Sequence, residues 1–196
     1  MSGRPSAAQA VVKRQQPLAL YVNCGAHCLN LITQAACQAS PLIRDALQWV
    51  HELGTLSKQS GKFKAIFAGI AAGSHEGPAT SLRPLCPTRW TVRGKAVTGV
   101  LSQYGSVLAS LEEMASNGSD TGTRANGLLD RFRKGKTVLG LHLALEVILE
   151  LETLNKSLQS RTETISGMRG AVECVASTLQ EKMSEEAFHE VFDKVQ

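Results

Sequence analysis

The 196-residue chain is 43% hydrophobic and 19% charged, which is enough apolar material for the buried core of one large or two small domains. Its apolar runs break well short of the roughly 20 residues needed to span a bilayer, and Met1-Ser-Gly-Arg-Pro-Ser lacks the apolar stretch of a signal peptide, so the protein reads as intracellular with no membrane partner. The net charge of +4 is uneven: residues 1–110 hold 11 Lys/Arg against 3 Asp/Glu, and residues 111–196 hold 10 against 14. A basic half poor in acids suits a surface facing phosphates, and equally an ordinary solvated face.

Pro5 opens a short helix expected over residues 5–15, and Pro17 ends it. The apolar run Leu18 to Val22 then reads as a strand. With Asn23 as its N-cap, a helix from Cys24 to about Gln38 follows, placing Leu29, Ile32 and Ala36 on one face. Ser40-Pro41 is a strong helix start, and Leu42, Ala46, Trp49, Val50 and Leu53 form an apolar face that ends at Gly54. A further helix is expected over Gly61 to Ala72, and Gly73 to Ser81 is loop by composition.

From Thr91 to about Ser116 the apolar positions from Val97 to Met114 keep helical spacing, which predicts one long amphipathic helix. Residues 117–123 read as a linker, beyond which the chain turns acidic. Val147, Leu151, Leu154 and Leu158 step by four and three, as do Ile165, Met168, Val172, Val175 and Leu179. Two long helices packed as an antiparallel pair in a bundle are the expected result. Ser184 caps a last helix that carries Phe188, Phe192 and Val195 on one face, with Glu185 and Glu186 at its positive end.

Five cysteines at 24, 28, 37, 86 and 174 are odd in number and scattered, as reduced thiols are. Cys24, His27 and Cys28 lack a second cluster at ligand spacing, so zinc is not expected. Helical spacing puts Trp49 in the core and His51 and Glu52 on other faces. The basic run Arg131-Phe-Arg-Lys-Gly-Lys136 reads as a solvated turn between helices, and His142, Glu146 and Glu150 as the polar edge of a Leu-rich helix. Serine-hydrolase, P-loop and dinucleotide signatures are absent from the sequence.

Two short motifs stand out. Cys24 and His27 share one face of a helix, as a core pair or as groups lining a site. Cys86-Pro-Thr-Arg89-Trp90 lies in a basic loop flanked by Arg83, Arg93 and Lys95. There a guanidinium clamps a phosphate and an indole stacks on an unpaired base, or else Trp90 is the buried anchor of the following helix and Arg89 pairs with a carboxylate.

Together the two resemble the C-x-x-H and C-x-x-R-W signatures of hAT-superfamily transposases, in particular the domesticated group that includes zinc-finger MYM-type protein 1-like proteins. The resemblance implies a mostly α fold, a helical bundle attached to a truncated RNase H-like α/β remnant with one short strand. Residues 1–40 would be the helix–strand–helix end of that core, and residues 41–196 the helical insertion domain, with a linker near 117–123. It further implies that Cys24 and His27 shape the catalytic site and that Trp90 lies near a flipped base, so the expected DNA contacts are Arg89, Trp90, Arg93 and Lys95.

Family enzymes cut DNA with an Asp, Asp, Glu set that holds two Mg²⁺ or Mn²⁺ ions. Met1-Ser-Gly looks like the tripeptide after the second Asp, which places both Asp residues upstream of this chain and the Glu beyond Gln196. The expectation is a nuclear, non-enzymatic DNA-binding remnant with no catalytic residue, no metal ligand and no cofactor of its own. The alternative is a helical protein-interaction or dimerisation module, in which the Leu-rich helices of residues 138–183 bind a partner or a second copy.

Overall fold

Hydroxyl side chains set five of the ten described helix starts. Ser40, Ser60, Ser119, Thr164 and Ser184 each accept a bond from the backbone N–H three residues on, at 3.5, 3.1, 3.1, 3.0 and 3.2 Å, satisfying donors that a helix leaves orphaned. The computed structural model describes residues 8–20, 24–74, 81–86, 93–160, 162 and 164–195. Its helices are α1 (Ala8–Gln15), α2 (Gly25–Ala39), α3 (Pro41–Gln59), α4 (Gly61–Gly73), α5 (Gly94–Leu101), α6 (Tyr104–Ala115), α7 (Asp120–Phe132), α8 (Gly135–Leu158), α9 (Ile165–Glu181) and α10 (Glu185–Asp193). The fold is a mostly helical bundle.

Helix α8 is its axis and packs against α2, α3, α5, α7, α9 and α10. Gly140, Leu141, Ala144, Ile148, Leu151 and Leu154 are buried along it. Gly140 permits the closest approach, because a Cβ there would lie 2.6 Å from the Leu42 carbonyl oxygen and 2.9 Å from the Ala46 Cβ of α3. The main core gathers α3 to α8, with Leu53, Phe63, Val97, Leu111 and Ile148 among its fully buried members. Each such side chain contributes about 1.5–3 kcal/mol by leaving water. A smaller cluster joins Leu29 of α2 to Leu151 and Leu154, with Ala171, Val175 and Leu179 of α9 laid over it.

Several expectations are corrected. No strand occurs among the described residues. Leu18 to Leu20 form a turn and an unpaired extension in which Leu18 and Leu20 are 87% and 91% exposed; residues 21–23 lie outside the described residues. A strand needs a neighbour to satisfy its backbone groups, and no described segment pairs with this one. Helix α2 buries Leu29, Thr33 and Cys37, whereas Ile32 is 58% exposed. Thr33 is tolerated inside because its hydroxyl donates to the Leu29 carbonyl at 2.8 Å.

Helix α3 passes through Gly54 and runs to Gln59. The expected long helix over 91–116 is two helices broken at Ser102 and Gln103. Its buried positions keep phase across the break, so periodicity alone reads through it, while the Ser102 hydroxyl turns to the Gly99 carbonyl and competes with the helix. Residues 117–123 make a tight turn and the first turn of α7: Gly118 takes φ +55° and Ser119 caps. Helices α6 and α7 form a hairpin, and the Tyr104 hydroxyl donates to the Phe132 carbonyl.

The α8–α9 pair packs as expected, yet α9 turns Ala171, Val175 and Leu179 inward and leaves Ile165 and Val172 exposed. Lys182 bonds Glu146 and, at 3.0 Å, Glu150, so the polar edge of α8 is a clasp on α9. In α10 the buried residue is Val191, while Phe188 and Phe192 stack on each other and remain exposed, Phe188 at the edge of a cavity bordered by Leu143 and Val147 of α8. Two apolar lines run along that helix, and the one with smaller side chains fits against α8. No helix among the described residues is long and apolar enough to cross a membrane.

Candidate nucleic-acid interface

Residues 81–86 cross the bundle as a strap. Leu82 and Leu85 are buried while Ser81 and Arg83 are exposed, so two leucines three residues apart anchor the segment on the core. The strap passes over α3 at Gly54, where a Cβ would lie 2.2 Å from both the Arg83 carbonyl carbon and the Pro84 nitrogen. Only glycine leaves room for the two backbones. His51 Nδ1 donates to the Leu85 carbonyl at 3.1 Å and fixes the next step of the crossing.

The strap ends in a clamp. Arg93 donates from Nε at 3.0 Å and from Nη2 at 2.6 Å to the Cys86 carbonyl, and it is only 7% exposed. Burial lowers its pKa from the ordinary value, opposed by the neighbouring Cys37 and Cys86 thiols. Burial likewise pushes the Cys37 thiol up to about 11 against the pull of Arg93, leaving it a neutral and unreactive thiol at pH 7. Glu152 reaches across from α8 to accept the Gly94 N–H at 2.8 Å, placing a carboxylate at the positive end of α5. Gly94 is tight as well, since a Cβ there would lie 2.9 Å from Leu149 Cδ2.

The chain therefore leaves at Cys86 and returns at Arg93 with both ends tied to one point. Arg89 and Trp90, between them, lie outside the described residues. Arg83 and Lys95 are exposed on a cleft of about 540 Å³ beside the clamp. A second cleft of about 290 Å³ shares Leu85 and Arg93 with it and is rimmed by Gln34, Gln38 and Arg44.

Of the sequence-derived contacts, Lys95 faces solvent, and Arg93 is buried with its guanidinium on the Cys86 carbonyl. Cys24 and His27 are exposed on the first turn of α2. His27 is ten residues from Cys37 on one helix, about 15 Å along its axis, so the Cys24–His27 pair lies away from the end of α2 that meets Arg93. Sequence reasoning missed the roles of His51, Gly54 and Glu152, because each acts through a partner about 30 or more residues away in the chain.

The two-metal chemistry of the resembled family needs clustered carboxylates. No group of three or more His, Cys, Asp or Glu that could hold a metal occurs among the described residues, and Asp45, Glu52 and Glu152 are bonded to Arg44, Gln48 and Gly94. These residues do not fit such a centre. No protein-family model matches the chain, and no solved structure matches its fold.

Proposed function

We propose that the chain is an hAT-transposase-derived, nucleus-located protein that grips nucleic acid without cutting it. The observation that carries this is the closed base of the Arg89-Trp90 loop: the Cys86 carbonyl is held by Arg93, the strap is fixed at Gly54, and Arg83 and Lys95 are exposed on either side. A loop with tied ends loses less entropy on binding. An indole stacked on an unpaired base is worth about 1–3 kcal/mol. The family relationship is supported by Cys24-x-x-His27 and Cys86-x-x-Arg89-Trp90 alone.

Fluorescence anisotropy with a labelled single strand and a hairpin tests it. Binding should fall with salt at a slope of roughly −2 for three phosphate contacts on a single strand. Trp90→Ala should weaken it by about 5- to 150-fold with the helical signal unchanged. Binding that is absent, or indifferent to Trp90→Ala, overturns the proposal.

A second reading, a protein-interaction or dimerisation module, is favoured by the exposed Val172 on α9 and Phe188 and Phe192 on α10. A concentration-dependent dimer in sedimentation, with no nucleic-acid affinity, would select it.

A further inference from the structure

Trp49 has one side packed on the main core and the other under Arg131, whose guanidinium carbon lies 5.0 Å from the ring centroid. This pair divides a groove between α3 and α7 into two clefts. One, of about 220 Å³, is bounded by Trp49, Arg131, Lys134 and Lys136; the other, of about 240 Å³, by Trp49, Arg124, Gly127 and Arg131. The groove thus brings together an indole that reads as core, three cations of the run that reads as a solvated turn, and Arg124 of α7.

Its charge is lopsided. Arg124, Arg131, Lys134 and Lys136 face Asp45 and Glu52. Asp45 is already held by Arg44 Nε and Nη2 at 3.0 and 2.9 Å, and Glu52 accepts from Gln48 at 2.9 Å. Arg124 bonds only a neutral group in the side-chain contacts described, the Gln59 amide oxygen at 3.0 Å. Seven residues separate Arg124 from Arg131, about 10 Å along α7, which matches about three stacked base steps. Gly127 lies between them, and a Cβ there would meet nothing within 4 Å. The α7 side of the groove is therefore unobstructed at Gly127.

We propose that this groove is a second binding surface for single-stranded nucleic acid: Arg131 swings from the outer face of Trp49 onto a phosphate, the uncovered indole becomes the stacking platform, and Arg124, Lys134 and Lys136 supply further phosphate contacts. The inference rests on the nucleic-acid reading of the Cys86–Arg93 loop for its ligand class, but on different residues for its site. An indole in a groove needs an unpaired base to stack on; a duplex or an acidic peptide offers the cations charge and leaves the ring unused.

The chain has two tryptophans, Trp49 and Trp90, so in Trp90→Phe the indole emission reports Trp49 alone. Titrating that full-length variant with an oligothymidylate of about 15 nucleotides, a length within the range of single-strand sites, should quench the emission. Salt should reverse the quenching, and poly-glutamate should not reproduce it. Combining Lys134→Gln with Lys136→Gln should lower the salt slope by roughly 1 to 2, and Gly127→Glu, which meets no steric obstacle, should abolish the quenching at unchanged helical content. If the wild-type protein binds the oligomer by anisotropy while Trp49 emission stays constant and these variants bind equally well, the groove is refuted and the loop reading stands. If poly-glutamate quenches equally, an acidic peptide is the ligand and the proposal is overturned. If the wild type does not bind, both readings fail.

Discussion

Replacing Gly54 by Ala sets two effects against each other. In a helix interior Ala is favoured over Gly by about 0.5–1 kcal/mol. Against that, the new Cβ would lie 2.2 Å from the Arg83 carbonyl carbon and the Pro84 nitrogen and 2.3 Å from the Arg83 oxygen, where carbon contacts prefer about 3.5–4.0 Å. The obstacle is backbone on both sides, so no side chain can swing away. If the strap stays, the strain stands at the top of the usual overpacking range, about 3 kcal/mol. If it lifts, Leu82 and Leu85 return to water at about 3–6 kcal/mol together. The first route is cheaper, and the net loss is about 2 kcal/mol. Urea unfolding should show it as a lowered midpoint, and alkylation of Cys37, buried beside the clamp, should accelerate. Gly69→Ala on α4, whose Cβ meets nothing within 4 Å, is the control and should gain about 0.5–1 kcal/mol. A Gly54→Ala protein as stable as Gly69→Ala would refute the reasoning.

Two further outcomes follow from the same region and its neighbours. Glu152→Ala removes the acceptor for the Gly94 N–H and the charge at the start of α5; a loss of about 1 kcal/mol, or about 2–4 °C in thermal unfolding, is expected, with Glu152→Gln recovering part of it. Burial pushes Cys37 up to about 11 and Tyr104 up to about 12 from ordinary values of 9.0 and 10.0, so the folded chain keeps protons that the unfolded chain releases. Stability should be full below pH 9 and fall as pH rises toward 12. Urea midpoints measured across that range should flatten between pH 9 and 11 in Cys37→Val and between pH 10 and 12 in Tyr104→Phe.

The local signals were legible and the long-range ones were not. Ser40 and Ser184 announce their helices because a cap acts within one turn. The α8–α9 pairing is visible in the leucine spacing for the same reason. Periodicity misplaced the buried face of α2, because a threonine that satisfies its own hydroxyl counts as polar in the sequence and as core in the fold. Gly54 read as a helix stop because its purpose is a strap 30 residues later, which no local pattern contains. Of the candidate site, the Cys86-x-x-Arg-Trp motif was visible. The inward turn of Arg93 and the cap from Glu152 depend on α5 and α8 meeting. The expected strand failed for the complementary reason: its apolar composition was real, but a strand is a property of two segments.

Helix α8 sits late in the chain and touches elements from α2 to α10, which dictates an order of assembly. During synthesis, the helices up to α7 emerge before the scaffold that their inner faces require, and Leu29 waits for Leu151 across more than a hundred residues. Loop closure over such separations slows consolidation and leaves apolar surface open to chaperones in the interval. A ribosome paused before Leu158 would hold α3 to α7 with partners among themselves but without the complete helix on which α2, α9 and α10 also pack.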